Sequence, residues 1–181
     1  MAGALNNLAL LKRQKGDLAE AERLLVRAVG ILGASRGPDH PSTAGALDSL
    51  GGVRLARGQM RAALADLQAA LAVFRKLYPP PHPRLAQSMN NVAVALLQMG
   101  RPKDAAVLQA ELMAMTEELY GPDHPALATA ALNMAGVHKR LADFDDAEDR
   151  LREALEIRET SLGPEHPQTC LLYTSPSPRD S

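Results

Sequence analysis

Aromatic residues are scarce in this chain: two Phe, three Tyr and no Trp among 181 residues. A core made without them has to be filled by Leu, Ala, Val and Met, which suits closely packed helices. A single cysteine excludes an internal disulfide framework and a thiolate zinc site. Neither sign of charge is in excess, with 20 Lys and Arg against 21 Asp and Glu for a net charge of −1. The basic footprint of a nucleic-acid binder is therefore missing. No apolar run approaches the ~20 residues that cross a bilayer. The opening MAGALNNLALLKRQKG has Asn and Lys where a secretory leader needs apolar residues. These absences predict a cytoplasmic protein that neither binds nucleic acid nor inserts into a membrane. What is present, 46% hydrophobic and 23% charged residues, fits a folded domain or one short repeat array.

Repetition is the main signal. Gly37-Pro38-Asp39-His40-Pro41, Pro79-Pro80-Pro81-His82-Pro83, Gly121-Pro122-Asp123-His124-Pro125 and Gly163-Pro164-Glu165-His166-Pro167 recur with a period of 42 residues. The same period aligns Leu8 with Leu50, Val92 and Met134, and Ala9 with Gly51, Ala93 and Ala135. It also aligns Ala21 with Ala63, Ala105 and Ala147, and Ala28 with Ala70, Leu112 and Ala154. Apolar and polar columns both hold the period, as expected of a repeat architecture.

Each unit reads as two helices. In the second unit, Ala44, Leu47, Leu50, Val53 and Leu55 predict a helix over Pro41 to Arg57. Ala63, Leu64, Leu67, Ala70, Leu71 and Phe74 predict another over Met60 to Leu77, with a counterpart over Phe144 to Leu162. Gly16, Gly58 and Gly100 mark the turn between them, where a positive φ just past a helix end favours glycine. The fourth unit has Ala142 there, so its turn forms without glycine or shifts towards Asp143. Ala or Gly in the columns of Ala9 and Ala21 lets helices approach to about 8–10 Å. One helix pair cannot bury its own apolar face, so successive pairs must stack. The fold class that follows is all-α, an α-solenoid of stacked antiparallel helix pairs.

Asn6-Asn7-Leu8-Ala9-Leu10-Leu11, Asn90-Asn91-Val92-Ala93, Glu20-Ala21-Glu22, Arg27-Ala28-Val29-Gly30-Ile31, Leu155-Glu156-Ile157-Arg158-Glu159 and the closing L-G-P-[DE]-H-P together resemble the tetratricopeptide repeats of kinesin light chains and their relatives. The resemblance covers residues 1–169 and implies a right-handed superhelix. Its parts are a partial first unit at 1–36, units at 37–78, 79–120 and 121–162, and the start of another at 163–169. Asp48-Ser49 stands where other units have paired Asn, and the third unit has PPPHP in place of GPDHP. Residues 170–181 break the repeat. They resemble the in-frame translation of a sequencing-library adaptor and are expected to be disordered and outside the fold, against the alternative of a natural Ser/Pro-rich tail.

Chemistry is sparse. The sequence has no G-x-S-x-G elbow, phosphate loop, H-E-x-x-H or credible cysteine nucleophile, so no enzyme and no cofactor are expected. His40, His82, His124 and His166 lie a full helix pair apart, too far for one zinc ion, and the better reading has Asp39 or His40 capping the next helix with Pro41 in its first turn. His138 reads as an ordinary surface or groove residue. Asp143, Asp145, Asp146, Glu148 and Asp149 lack a calcium-loop pattern, and carboxylates at a helix start suit its dipole.

More informative are Asn7, Ser49, Asn91 and Asn133 in one column, with Asn6, Asp48 and Asn90 in the column before. The resemblance implies that first helices line a concave groove and that such an Asn hydrogen-bonds the backbone of a bound peptide. The expected binding residues are Asn6, Asn7, Ser49, Asn90, Asn91 and Asn133; the alternative is that the amides merely cap or bridge neighbouring helices. Lys12, Arg54 and Lys139 lie nearer the helix ends, which disfavours a clamp for acidic C-termini. The function implied is a scaffold holding an extended segment of a protein partner, as a cargo or adaptor module. The alternative is a regulatory or sensor domain of a larger signalling protein with a nucleotide-binding switch. Self-association through the C-terminal end is also expected, because an internal-looking helix there leaves an apolar surface.

Overall fold

The computed structural model describes residues 2–163 together with His166 and Pro167. The stretch 170–181 lies outside the described residues, so the expectation placed on it stays an expectation. Eight helices follow in order among the described residues: α1 (Ala2–Gln14), α2 (Leu18–Arg36), α3 (Pro41–Ala56), α4 (Met60–Leu77), α5 (Pro83–Gln98), α6 (Pro102–Tyr120), α7 (Pro125–Leu141) and α8 (Phe144–Leu162). Each packs against the next, and none is long and apolar enough to cross a membrane.

Helix starts and stops follow the punctuation in the sequence. His40, His82 and His124 are the N-caps of α3, α5 and α7, each with a proline in the first turn. Their Nδ1 atoms accept backbone hydrogen bonds from Ser42 at 3.0 Å, Arg84 at 3.1 Å and Ala126 at 3.1 Å. Tyr78 stacks on His82 and Tyr120 on His124, at ring separations of 4.0 and 4.6 Å, which fixes the imidazoles in their capping pose. Gly16, Gly58 and Gly100 turn the chain at φ of 80°, 75° and 70°. Ala142 takes the same left-handed conformation at φ 63°, so the fourth turn keeps its register without a glycine.

The small-residue columns are the points of closest approach. Ala9, Ala21, Ala63, Ala105 and Ala154 are wholly buried. At Gly51 an added Cβ would stand 2.5 Å from Leu67 Cγ and 3.1 Å from the Ala63 carbonyl oxygen, so α3 and α4 meet there with no room for a methyl group. The central core runs through α3 to α7 over Leu67, Leu71, Phe74, Leu85, Met89, Val92 and Val137. Successive odd helices also touch, α1 against α3 and α3 against α5. The odd helices thus form the inner row of the stack.

Candidate functional site

The polar columns fall on that inner row. Asn91 Nδ2 donates to Asp48 Oδ2 at 2.9 Å, tying α5 to α3. Asn133 Nδ2 donates to Asn90 Oδ1 at 2.9 Å, tying α7 to α5, and Gln109 Nε2 reaches the same oxygen at 3.4 Å. Both rungs join residue i to residue i+43, one position beyond the repeat. The pairing therefore lies between adjacent columns, where a reading within one column does not look. An amide has two N–H groups and a carbonyl oxygen, so Asn91 and Asn133 each keep one N–H and the oxygen outside these bonds.

The equivalent first rung would join Asn6 to Ser49, and it is not made. The Ser49 hydroxyl is too short to cross and donates to the Gly45 carbonyl in its own helix at 3.0 Å. Asn6 Oδ1 is left buried without a hydrogen-bond partner. Asn7 is exposed, whereas Asn6, Ser49, Asn90, Asn91 and Asn133 are half-buried. In the middle rung Asp48 carries a carboxylate where its neighbours carry amides. Burial pushes its pKa up, and the hydrogen bond from Asn91, the nearby Ser88 hydroxyl and the Arg84 charge offset this only in part. Asp48 Oδ1 and the Ser88 hydroxyl are both buried without a formed hydrogen bond.

Asn6 and Ser49 open into a cavity of about 590 Å³ that also takes in Arg36, Ser42, Tyr78 and Arg84. No carboxylate lines it. Arg36 Nη1 donates to Ser42 Oγ at 3.1 Å, and neither Arg36 nor Arg84 forms an ion pair among the described residues. Two guanidiniums thus lie beside the Asn column, which the sequence reading did not place there. Arg36 shares its column with Tyr78, Tyr120 and Leu162, and Arg84 shares its own with Ser42 and Ala126, so no periodic signal marks either one. Asn90, Asn91 and Asn133 lie further along the same row, outside this cavity.

On the other side of the first two units the charges are internally satisfied. Glu22 accepts from Arg54 at 3.0 Å, from Arg57 and from Gln59, while Arg54 also pairs with Asp66 at 2.6 Å. Burial pushes the Glu22 carboxyl up, but the hydrogen bonds from Arg54 and Arg57 outweigh it and hold it below the usual range. This cluster binds α2, α3 and α4 together and leaves no charge of one sign for a ligand.

The tetratricopeptide repeat family matches over residues 1–76, 42–118 and 107–160. No curated protein matches the chain in sequence. Among solved structures, the nearly identical TPR-like repeats of a Podosopora anserina kinesin light chain superpose with a TM-score of 0.84 at 24% identity, covering 93% of this chain and 80% of that one. BtubC (BKLC) from P. vanneervenii superposes with a TM-score of 0.82 at 24% identity, over 92% of this chain and 66% of that one. The apo form of RapI covers 88% of this chain and 56% of its own at a TM-score of 0.76 and 14% identity. At such identities the likeness is one of fold, and the fold is the stacked-pair solenoid that the 42-residue period predicts.

Proposed function

Because the chain belongs to the tetratricopeptide repeat family, whose arrays are protein-interaction scaffolds, we propose that it holds an extended segment of a partner protein along the inner row of odd helices. It acts as a non-catalytic, kinesin-light-chain-like cargo or adaptor module in the cytoplasm. What supports this reading is the run of half-buried amides at Asn90, Asn91 and Asn133 that continues into the cavity beside Asn6 and Ser49. Amides that keep both a donor and an acceptor suit a peptide backbone, which presents both at every residue. At the cavity end, Arg36 and Arg84 favour an acidic side chain on the segment, since a charge-assisted hydrogen bond to a guanidinium is about twice as strong as a neutral one.

Peptides selected against the full chain from a random linear library supply the probe. Asn91→Ala and Asn133→Ala should each weaken the selected peptides several-fold, the scale of one lost hydrogen bond of about 0.5–1.5 kcal/mol. The parent and both variants should keep the same helical circular dichroism. If both variants bind as the parent does but melt earlier, the amides serve only to bridge helices and the groove reading fails.

A further inference from the structure

The turn between α7 and α8 differs from its three counterparts. His138 lies in the last turn of α7, Asp143 is the N-cap residue of α8 and Asp146 falls in the first turn of α8. The same positions in the earlier units hold Lys12, Asp17 and Glu20; Arg54, Gln59 and Ala62; and Leu96, Arg101 and Asp104. In the first unit the Lys12 ammonium pairs with Asp17 at 3.3 Å, and Asp17 Oδ1 still accepts from the backbone N–H of Glu20. Only the fourth unit sets an imidazole against two carboxylates.

Two observations there point outward to a ligand. Asp143 occupies the capping position but makes no capping hydrogen bond. His138 Nδ1 is buried without a hydrogen-bond partner, 3.8 Å from Asp143 Oδ2 and 3.7 Å from Asp146 Oδ2. All three ligand atoms lie within 4.8 Å of one another. Those separations are too long for hydrogen bonds. Two ligands held at about 2.1 Å on one tetrahedral ion stand roughly 3.4 Å apart, so the imidazole nitrogen need approach each carboxylate oxygen by only a few tenths of an ångström, and rotation of the two exposed carboxylates closes the rest of the site around an ion.

We propose that His138, Asp143 and Asp146 form a binding site for a divalent transition-metal ion. One imidazole nitrogen and two carboxylate oxygens favour zinc, cobalt or nickel over calcium and magnesium, which prefer oxygen ligands throughout. The ion takes the place that the Lys12 ammonium fills in the first unit and fastens the end of α7 to the start of α8. Solvent completes the coordination, since Asp143 and Asp146 are exposed.

The test uses the full chain, stripped with a chelator and titrated with zinc chloride by calorimetry and with cobalt chloride by visible absorption. One saturable equivalent is expected, with the cobalt spectrum lacking a thiolate charge-transfer band that would betray Cys170. Asp146→Asn changes an exposed residue that the fold does not need. His138→Lys rebuilds the ammonium–carboxylate pair of the first unit, so it keeps any purely structural role. Both should bind zinc at least tenfold more weakly, and zinc should raise the melting temperature of the parent chain but not of His138→Lys. His124→Ala, which alters a helix cap elsewhere, should bind zinc as the parent does. Absence of saturable binding in the parent chain, or a zinc affinity in Asp146→Asn and His138→Lys equal to that of the parent chain, would overturn the site.

Discussion

At the scale of single residues, the inner row is a set of nearly equivalent hydrogen-bond rungs that differ by one or two atoms. Asn133 reaches Asn90 and Asn91 reaches Asp48, but Ser49 falls short of Asn6. Ser49→Asn copies the residue found in the next two units and should donate to the orphaned Asn6 oxygen. A stability gain of about 1 kcal/mol is expected, because a buried acceptor without a partner carries its full desolvation penalty. Urea unfolding of the variant checks it; a midpoint equal to or below that of the parent chain counts against the rung. Asp48 makes a second prediction through its raised pKa. The folded state holds this proton more tightly than the unfolded chain, so the group destabilises the fold progressively as pH rises from the usual carboxylate range through its raised pKa, and not below that range. Asp48→Asn places the amide of Asn90 in the same setting and removes this component. Its stability advantage over the parent chain should be small near pH 3 and largest at neutral pH. A difference that stays constant with pH would show that burial does not burden the carboxylate.

The same contrast between repeated and unrepeated features decides what can be read in advance at the scale of elements. The span Met60–Leu77 and the span Phe144–Leu162 follow directly from apolar spacing, and α3 ends one residue short of the expected Arg57. Those features repeat, so every unit testifies to them. Gly51 is legible in the same way, as the tightest member of a small-residue column. Arg36 and Arg84 are not, because each interrupts its own column and they meet only once the units are stacked. The amide rungs were half legible: the columns stand out, but their partners lie 43 residues away and depend on the register of the stack. Ala142 is the one element boundary where the sequence left two turns open. Holding alanine at positive φ costs about 1 kcal/mol, more than glycine's added freedom in the unfolded chain. Ala142→Gly should therefore raise the melting temperature by about 1–2 °C, whereas Gly58→Ala should lower it. Thermal unfolding followed at 222 nm measures both. A destabilised Ala142→Gly would mean that the alanine methyl group makes contacts worth more than the backbone strain.

Across the whole molecule, the repeat columns show which surface a neighbour normally covers. Leu50, Val92 and Met134 are 3%, 1% and 7% exposed, yet Leu8 in their column is 44% exposed. Val53, Ala95 and Val137 are at most 1% exposed, while Leu11 in theirs is 55% exposed. Together with exposed Ala4, these leucines form a stripe along α1 at helical spacing. At the opposite end, Leu151 on α8 is half-buried where Leu25 and Leu67 in its column are fully buried. The column of Leu25 is thus repeated on α8, and the column of Leu50 and Val53, which packs with Leu24 and Leu25 of α2, is repeated on α1. For this 181-residue chain we expect a second copy to dock its α1 on α8 in the manner of the joint between successive units. The two surfaces differ, so the contact is heterologous, and successive copies would add head to tail rather than close as a pair. Leu8 and Leu11 are already about half covered, so burying the rest of each contributes ~1 kcal/mol, and the remaining apolar contacts of the joint have to supply the balance for concentration-dependent association. Sedimentation velocity across a hundredfold range of concentration should show growing species for the parent chain. The double variant Leu8→Lys, Leu11→Glu should remain a monomer with unchanged helicity, since both side chains already face solvent in the single copy. A parent chain that sediments as a monomer at the highest concentration would show that neither end serves as a docking face.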